Sequence, residues 1–184
     1  FWDEQTGKSA DFSRGVSWIL AQDLNSFSPS GWTEVDGIQL TQMKTEKKPI
    51  SHDVHWVSLK AWFWYLGFGY DSKSLIVDPT VAVRETIPDV FGKKKELEQA
   101  AFLAGLAEKL PVLDQGDYRK KVEKELNKAH WQAPPTGVSQ SLSLAIRRLE
   151  MANVIELIDK ADALSGKTNL THKTGEAWKT FTHI

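Results

Sequence analysis

The chain has 184 residues, 41% of them hydrophobic, which is enough to bury a core as one domain or two small ones. It contains no cysteine, so disulfides, zinc sites with thiolate ligands and cysteine nucleophiles are excluded. A chain without cysteine fits a reducing compartment. No stretch of consecutive apolar residues approaches the ~20 that a membrane-spanning helix needs. We therefore expect a cytoplasmic protein without membrane contact. The chain opens on Phe1 rather than Met, so we expect a fragment that further residues precede.

Charge is nearly balanced overall, with 23 Lys and Arg against 24 Asp and Glu, but it is uneven along the chain. Residues 1–92 hold 8 basic and 12 acidic residues, a net charge of −4, whereas residues 93–184 hold 15 and 12, a net charge of +3. Phosphate neutralisation supplies much of the affinity of DNA-binding proteins. The balance therefore argues against tight, autonomous DNA binding, although the second half is mildly basic, as groove binding requires.

The first half predicts helices separated by turns. Residues 11–22 carry an apolar stripe at helical spacing behind a capping Asp11, which predicts a helix. Residues 35–42 fit a short helix or a strand equally well. Further along, residues 74–78 predict a short strand, and Asp78 and Pro79 then open a helix that we expect Pro88 to break.

Residues 53–70 are the densest aromatic segment. We predict a helix that Gly67 and Gly69 end. Such a helix can be a stacking platform for single-stranded bases. Because the neighbouring residues are also apolar, we expect the aromatic side chains to be core instead. These side chains are Trp56, Trp62, Phe63, Trp64, Tyr65, Phe68 and Tyr70.

The second half predicts helices over 93–110, 118–129 and 139–152, the last capped by Ser139. Leu142, Ala145, Ile146 and Leu149 share one face of that last helix and should be buried. After an αL stop at Asn153, the pattern predicts a strand over 154–158, a polar loop over 159–167, a strand over 169–171 and a final helix over 174–181. The predictions for this end of the chain are the ones that bear on function.

Turning the apolar face of helix 139–152 inward leaves polar side chains outside, including Gln140, Ser143, Arg147 and Arg148. Arg147 could contact guanine O6 and N7, the commonest specific base contact. Lys160 and Lys167 flank the following loop and suit backbone phosphates. Asp159 and Asp162 lie in the same loop and would repel phosphate. The acidic residues of this loop favour a protein partner as the alternative to DNA. If the partner is DNA, the candidate nucleic-acid-binding residues are Gln140, Ser143, Arg147, Arg148, Lys160 and Lys167.

The order helix, strand, polar loop, strand is that of a winged helix-turn-helix. Residues 53–87 repeat the order helix, glycine turn, strand in looser form. We therefore predict an α+β, mostly helical fold of tandem winged-helix-like units with short β-hairpins, divided into residues 1–92 and 93–184. The alternative is a small α+β unit with no nucleic acid partner.

No motif indicates catalysis. There is no phosphate-binding loop, no GxSxG nucleophile elbow and no HExxH zinc motif. His52 and His55 are spaced to share a helix side, but a metal needs further ligands. We therefore expect a protein that is not an enzyme and has no catalytic residues, metal site or cofactor.

Residues 102–123 (FLAGLAEKLPVLDQGDYRKKVE) and 139–163 (SQSLSLAIRRLEMANVIELIDKADA) resemble the G component of the Dpd clusters. These bacterial systems insert 7-deazaguanine derivatives into DNA and restrict foreign DNA. The segment GYDSKSLIVDPTVAVRETIPDVF is also similar to that family. The resemblance implies a non-catalytic DNA modification or restriction accessory in phage defence, with double-stranded DNA and other protein subunits as partners. The alternative is a winged-helix interaction scaffold that works within a complex without touching DNA.

Overall fold

The structure is a computed structural model that describes Trp2 and residues 10–134, 137–161, 166–172 and 174–184. These residues form a mostly helical α+β fold with two small antiparallel β-hairpins. The helices are α1 (Ala10–Leu20), α2 (Trp32–Gln42), α3 (Asp53–Tyr65), α4 (Thr80–Phe91), α5 (Gln99–Lys109), α6 (Asp117–Glu123) and α7 (Gln140–Met151). The strands are β1 (Gly69–Asp71), β2 (Leu75–Val77), β3 (Thr168–Thr171) and β4 (Ala177–Phe181). No helix of the described residues is long and apolar enough to cross a membrane.

Three residues lie between the end of α3 and the first hairpin, whereas 16 residues lie between the end of α7 and the second hairpin. In the first, Gly69 of β1 faces Val77 of β2. A Cβ on Gly69 would lie 2.1 Å from the backbone oxygen of Ile76, so glycine permits this close approach. In the second hairpin, Thr168 of β3 faces Phe181 of β4.

The order of three helices followed by a hairpin occurs twice, first as α1, α2, α3 with β1 and β2, and then as α5, α6, α7 with β3 and β4. Helix α4 lies between the two series, and both the tandem arrangement and the winged-helix identity of the units stay predictions. The division at residue 92 also stays a prediction. One cluster of buried apolar side chains contains residues from both halves, and α1 packs on α6.

Two predictions near the carboxyl end were wrong. Residues 174–181 were expected to form a helix, but 177–181 are strand β4, because Gly175 (φ +86°) turns the chain back onto β3. Residues 154–158 were expected to form a strand, but only Ile158 pairs, in a single bridge with His183. The strand predicted over 169–171 is confirmed as β3.

The other predicted helices are present with different bounds, and the helix predicted over 118–129 ends early, at Glu123 of α6. Helix α1 covers most of the predicted 11–22, and residues 35–42 lie in helix α2. Helix α5 begins later than predicted, because Leu97 exchanges backbone hydrogen bonds with Ile184 and holds the preceding segment extended. The prediction that Pro88 breaks the helix was wrong, because α4 continues through Pro88 to Phe91, whose ring packs 6.0 Å from the ring of Phe102. Tertiary packing thus offsets the hydrogen bond that proline removes.

The aromatic segment is only partly core. Trp56, Phe63 and Phe68 are buried as predicted. The prediction was wrong for the other four, because they lie on the solvent side of α3 or on β1. These exposed aromatic side chains are Trp62, Trp64, Tyr65 and Tyr70.

Candidate functional site

Helix α7 is anchored by the apolar face that the sequence predicts. Leu142, Ala145, Ile146 and Leu149 are all buried, and the helix packs on α4 and β3. Burying a leucine or isoleucine side chain stabilises by about 1.5–3 kcal/mol. This face therefore fixes which side chains of α7 remain at the surface.

The start of α7 is held by a buried polar cluster. The hydroxyl of Ser139 accepts a hydrogen bond from the backbone N–H of Leu142 at 3.2 Å, which confirms the predicted N-cap. The same hydroxyl donates to Oδ2 of Asp114 at 2.6 Å, while Oδ1 of Asp114 accepts from the Ser139 backbone at 3.0 Å. Arg119 is fully buried, 3.9 Å from Asp114, and its Nε donates to Glu123 at 2.6 Å. Asp114 thus fixes where α7 begins, a role that no local sequence signal indicates.

Two of the α7 residues predicted to contact nucleic acid form hydrogen bonds within the protein instead. Ser143 was expected to face outward, and this is wrong, because it is fully buried and its hydroxyl accepts from the Thr171 backbone at 2.9 Å. Gln140 is half-buried, and its side-chain oxygen accepts from the Leu24 backbone at 2.7 Å. Ser143 ties α7 to β3, and Gln140 ties it to the segment after α1.

Arg147 lies in a cluster formed by α7 and β4. It forms an ion pair with Glu150, which also accepts a hydrogen bond from Lys179. Its guanidinium carbon lies 5.5 Å from the centre of the Trp178 ring, within cation–π range. Burial raises the pKa of Glu150, but the hydrogen bonds and positive charges of Lys179 and Arg147 together outweigh burial, so this pKa lies below its ordinary value.

The other three predicted cations are also paired with carboxylates. Arg148 is half-exposed and bonds to Asp78, next to the start of α4. Lys160 pairs with Glu96, and its hydrogen bond lowers the pKa of that exposed carboxyl. The ammonium of Lys167 lies 2.9 Å from Asp159. Asp162, expected to repel phosphate, lies outside the described residues.

These pairs divide the candidate surface into separate parts. Arg147 and Arg148 share α7 but have different carboxylate partners, Glu150 and Asp78. Lys160 and Lys167 form their ion pairs with residues outside α7. The structure therefore shows partly exposed cations at several places, each with a neighbouring negative charge.

A cavity of about 240 Å³ lies beside α7, between the two hairpins. Its lining is mostly apolar and includes Phe27, Leu75, Leu144 and Trp178. Of the described residues that line it, only His172 is ionisable, and its Nδ1 lies 2.9 Å from the hydroxyl of Thr174. The described residues also hold no group of three or more His, Asp or Glu side chains placed to bind a metal. That the protein has no metal, cofactor or enzymatic activity stays a prediction.

Comparison with known families identifies the chain. The model of the DpdG-like family matches residues 2–163. The chain belongs to the DpdG-like family. No curated protein and no solved structure matches it.

Membership of the DpdG-like family implies a component of the Dpd DNA modification and restriction systems of phage defence, as the resemblance in the sequence indicated. It also suggests association with other Dpd proteins. The match covers α1 to α7 and ends before β3, so the DpdG-like region includes the whole candidate helix.

Sequence reasoning missed two residues of the α7 surface in this DpdG-like chain. Trp178 and Lys179 lie on β4, in the segment predicted as a helix, and contact Arg147 and Glu150. The signal was present in the glycine turn at 175, followed by the β-favouring residues Trp178, Thr180 and Phe181. A hairpin prediction there would have placed both residues beside the predicted strand at 169–171.

Proposed function

We propose that the chain is a non-catalytic accessory subunit of a Dpd system that contacts duplex DNA through α7 and the β3–β4 hairpin. The observation that carries the proposal is the pair Arg147, partly exposed, and Arg148, half-exposed, on a firmly packed helix that a hairpin follows. Arg147 and Lys179 form one cationic group of this surface, and Arg148 forms a second.

The affinity of the proposed DNA contact depends on how easily Arg147 and Arg148 leave their ion pairs. Arg148 is half-exposed, and its mostly buried partner Asp78 also accepts hydrogen bonds from the backbone and the hydroxyl of Thr80. Asp78 therefore keeps hydrogen-bond donors when a phosphate takes its place at Arg148. Arg147 is less exposed and is held by both Glu150 and Trp178, so moving it costs more. With a net charge of +3 over residues 93–184, we expect weak DNA binding by the isolated chain, strengthened by other subunits.

Binding of a labelled duplex, measured by fluorescence anisotropy at about 50 and 200 mM salt, tests the DNA contact through its salt dependence. Replacing both Arg147 and Arg148 by Ala should abolish binding at the lower salt, and any residual binding should show a salt slope lowered by about 2. The matched control replaces two exposed lysines outside this surface, Lys47 and Lys109, by Ala, which removes the same charge. Equal affinities of the two double variants would remove α7 from the DNA contact.

A second candidate function is an interaction scaffold that does not touch DNA. The observation in its favour is that Arg147, Arg148, Lys160 and Lys167 each already have a carboxylate partner. Capture of partner proteins from the native host, with and without nuclease, separates the two functions. Partners that survive nuclease treatment, together with no duplex binding at low salt, favour the scaffold.

A further inference from the structure

The side of α3 that faces away from the core is mostly apolar. Trp56, Leu59 and Phe63 form the buried side. The opposite side, here called the outer face of α3, consists of Val54, Val57, Ser58, Ala61, Trp62, Trp64 and Tyr65, all exposed. The only basic residue of the helix, Lys60, lies outside this face and bonds to Asp71 at 2.6 Å. A helix on the surface of a globular protein ordinarily presents polar residues on this side.

The outer face is large enough for a stable interface. The large apolar residues of the outer face, with Leu66 at the end of α3 and Tyr70 on β1, are between 41% and 78% exposed. Because a buried aromatic side chain covers about 150–250 Å², complete coverage of these residues would bury at most about 800 Å² per chain. A standard protein interface buries about 800 Å² from each partner. Contiguous apolar patches of this size on soluble proteins mark interaction sites.

The order of side chains along the outer face makes it complementary to itself. Valines lie at the amino end, the small Ser58 and Ala61 lie in the middle, and large aromatic side chains lie at the carboxyl end. We propose that the outer face of α3 binds the same face of a second copy of this chain, with the two helices antiparallel about a twofold axis. Tyr65 and Trp62 of one copy then pack on Val54 and Val57 of the other.

Three further features fit this arrangement. Ser58 and Ala61 lie nearest the axis, where small side chains let the two backbones approach closely. Apolar positions at 54, 57, 61 and 64 recur at intervals of three and four, the spacing of helices packed at about 20°. The exposed carboxylate of Asp53 lies at the amino-terminal edge of the outer face, and antiparallel pairing would keep the two copies of Asp53 at opposite ends of the interface.

Single-stranded nucleic acid is a weaker match for the same surface. A stacking platform for bases works with a positively charged groove that follows the phosphates. Here Lys60 is already paired with Asp71, and residues 1–92 carry a net charge of −4. The aromatic side chains therefore have little positive charge around them to hold a phosphate backbone.

Sedimentation velocity of the whole chain tests the proposal at about 1 and 100 µM, since interfaces of this size begin at micromolar affinity. The mass should rise with concentration towards twice 20.7 kDa. Tyr65→Lys should weaken the dimer at least about tenfold, because it places an ammonium in an apolar contact. Met151→Lys changes a similarly exposed apolar residue on α7 and should leave the dimer intact. Circular dichroism checks that both variants are folded.

A charge-pair experiment tests the antiparallel pairing itself. Val54→Glu should weaken the dimer as Tyr65→Lys does, and combining both in one chain should restore most of the affinity. Positions 54 and 65 lie about 16 Å apart along one helix, so the introduced charges can meet only between copies. A combined variant as weak as the single variants would overturn the antiparallel pairing.

The absence of cysteine provides a further test of the same pairing. Under mild oxidation Ala61→Cys should form a covalent dimer, because position 61 lies close to the twofold axis, while Met151→Cys should not. Three results would overturn the proposal. They are a monomer at both concentrations, a dimer that Tyr65→Lys leaves unchanged, and a monomer that binds oligothymidine through Tyr65.

Discussion

Ser139→Ala is expected to loosen the start of α7, the helix on which the proposed DNA contact depends. The substitution removes the hydroxyl that caps the Leu142 backbone at 3.2 Å and donates to Asp114 at 2.6 Å. Loss of a helix N-cap costs about 1 kcal/mol. Loss of a hydrogen bond to a charged group costs about 1.5–3 kcal/mol. Because one atom makes both contacts, we expect the free energy of unfolding to fall by about 2–3 kcal/mol.

Urea unfolding followed by the fluorescence of the eight tryptophans measures this change. With a slope of about 2 kcal/mol/M, the midpoint should fall by about 1–1.5 M at an unchanged slope. Ser72→Ala is the control, since Ser72 is exposed, and a surface substitution of this kind changes stability by less than about 0.5 kcal/mol.

A double-mutant cycle with Asp114 tests the cause. Asp114→Ala removes the acceptor for both the hydroxyl and the backbone N–H of Ser139, so it should destabilise by a similar or larger amount. Combining it with Ser139→Ala should cost clearly less than the sum of the two, because the shared hydrogen bond can be lost only once. A loss below about 0.5 kcal/mol for Ser139→Ala, or strictly additive losses, would contradict this account of the cap.

Two other predictions concern the acid stability of the α7 cluster and the first hairpin. The pKa of Glu150 is lowered in the folded state, so its carboxylate stabilises the fold at pH values above its ordinary pKa of 4.5. This stabilisation is lost as the pH falls through the pKa that Glu150 has in the folded state. Glu150→Gln should therefore lower the free energy of unfolding, measured with urea, by about 1 kcal/mol at pH 7 and by close to nothing at about pH 2. An equal loss at both pH values would contradict the ion-pair explanation. Gly69→Ala should destabilise by about 1–3 kcal/mol, since its Cβ would meet the Ile76 oxygen. Gly31→Ala, with nothing within 4 Å, is the control, and equal stability of the two variants would show that the hairpin adjusts freely.

Helix α7 is the element that the sequence predicted best. Its cap at Ser139, its buried residues Leu142 and Leu149 and its αL stop at Asn153 (φ +55°) are all confirmed. These features depend on spacings of three or four residues and on the chemistry of single residues. Such information lies within one element and can be recovered from the order of amino acids.

Predictions that depended on distant segments were less accurate. Residues 177–181 form a strand because they pair with β3, and helix α5 starts late because Leu97 pairs with Ile184. Ser143 is buried against β3, where its hydroxyl accepts a hydrogen bond from the backbone N–H of Thr171. In each case a hydrogen-bond partner far along the chain decides the outcome, and local propensity does not indicate where that partner will be.

The amino-acid sequence by itself determined the helical character of the chain, the amphipathic pattern of α7 and membership of the DpdG-like family. Only the tertiary structure decided which polar and aromatic side chains reach solvent. It paired Arg148 with Asp78 and placed Tyr65 on the outer face of α3 while burying Phe63 two positions away. The physical reason is that spacing along a helix shows which residues share a side, whereas burial depends on which neighbouring element covers that side.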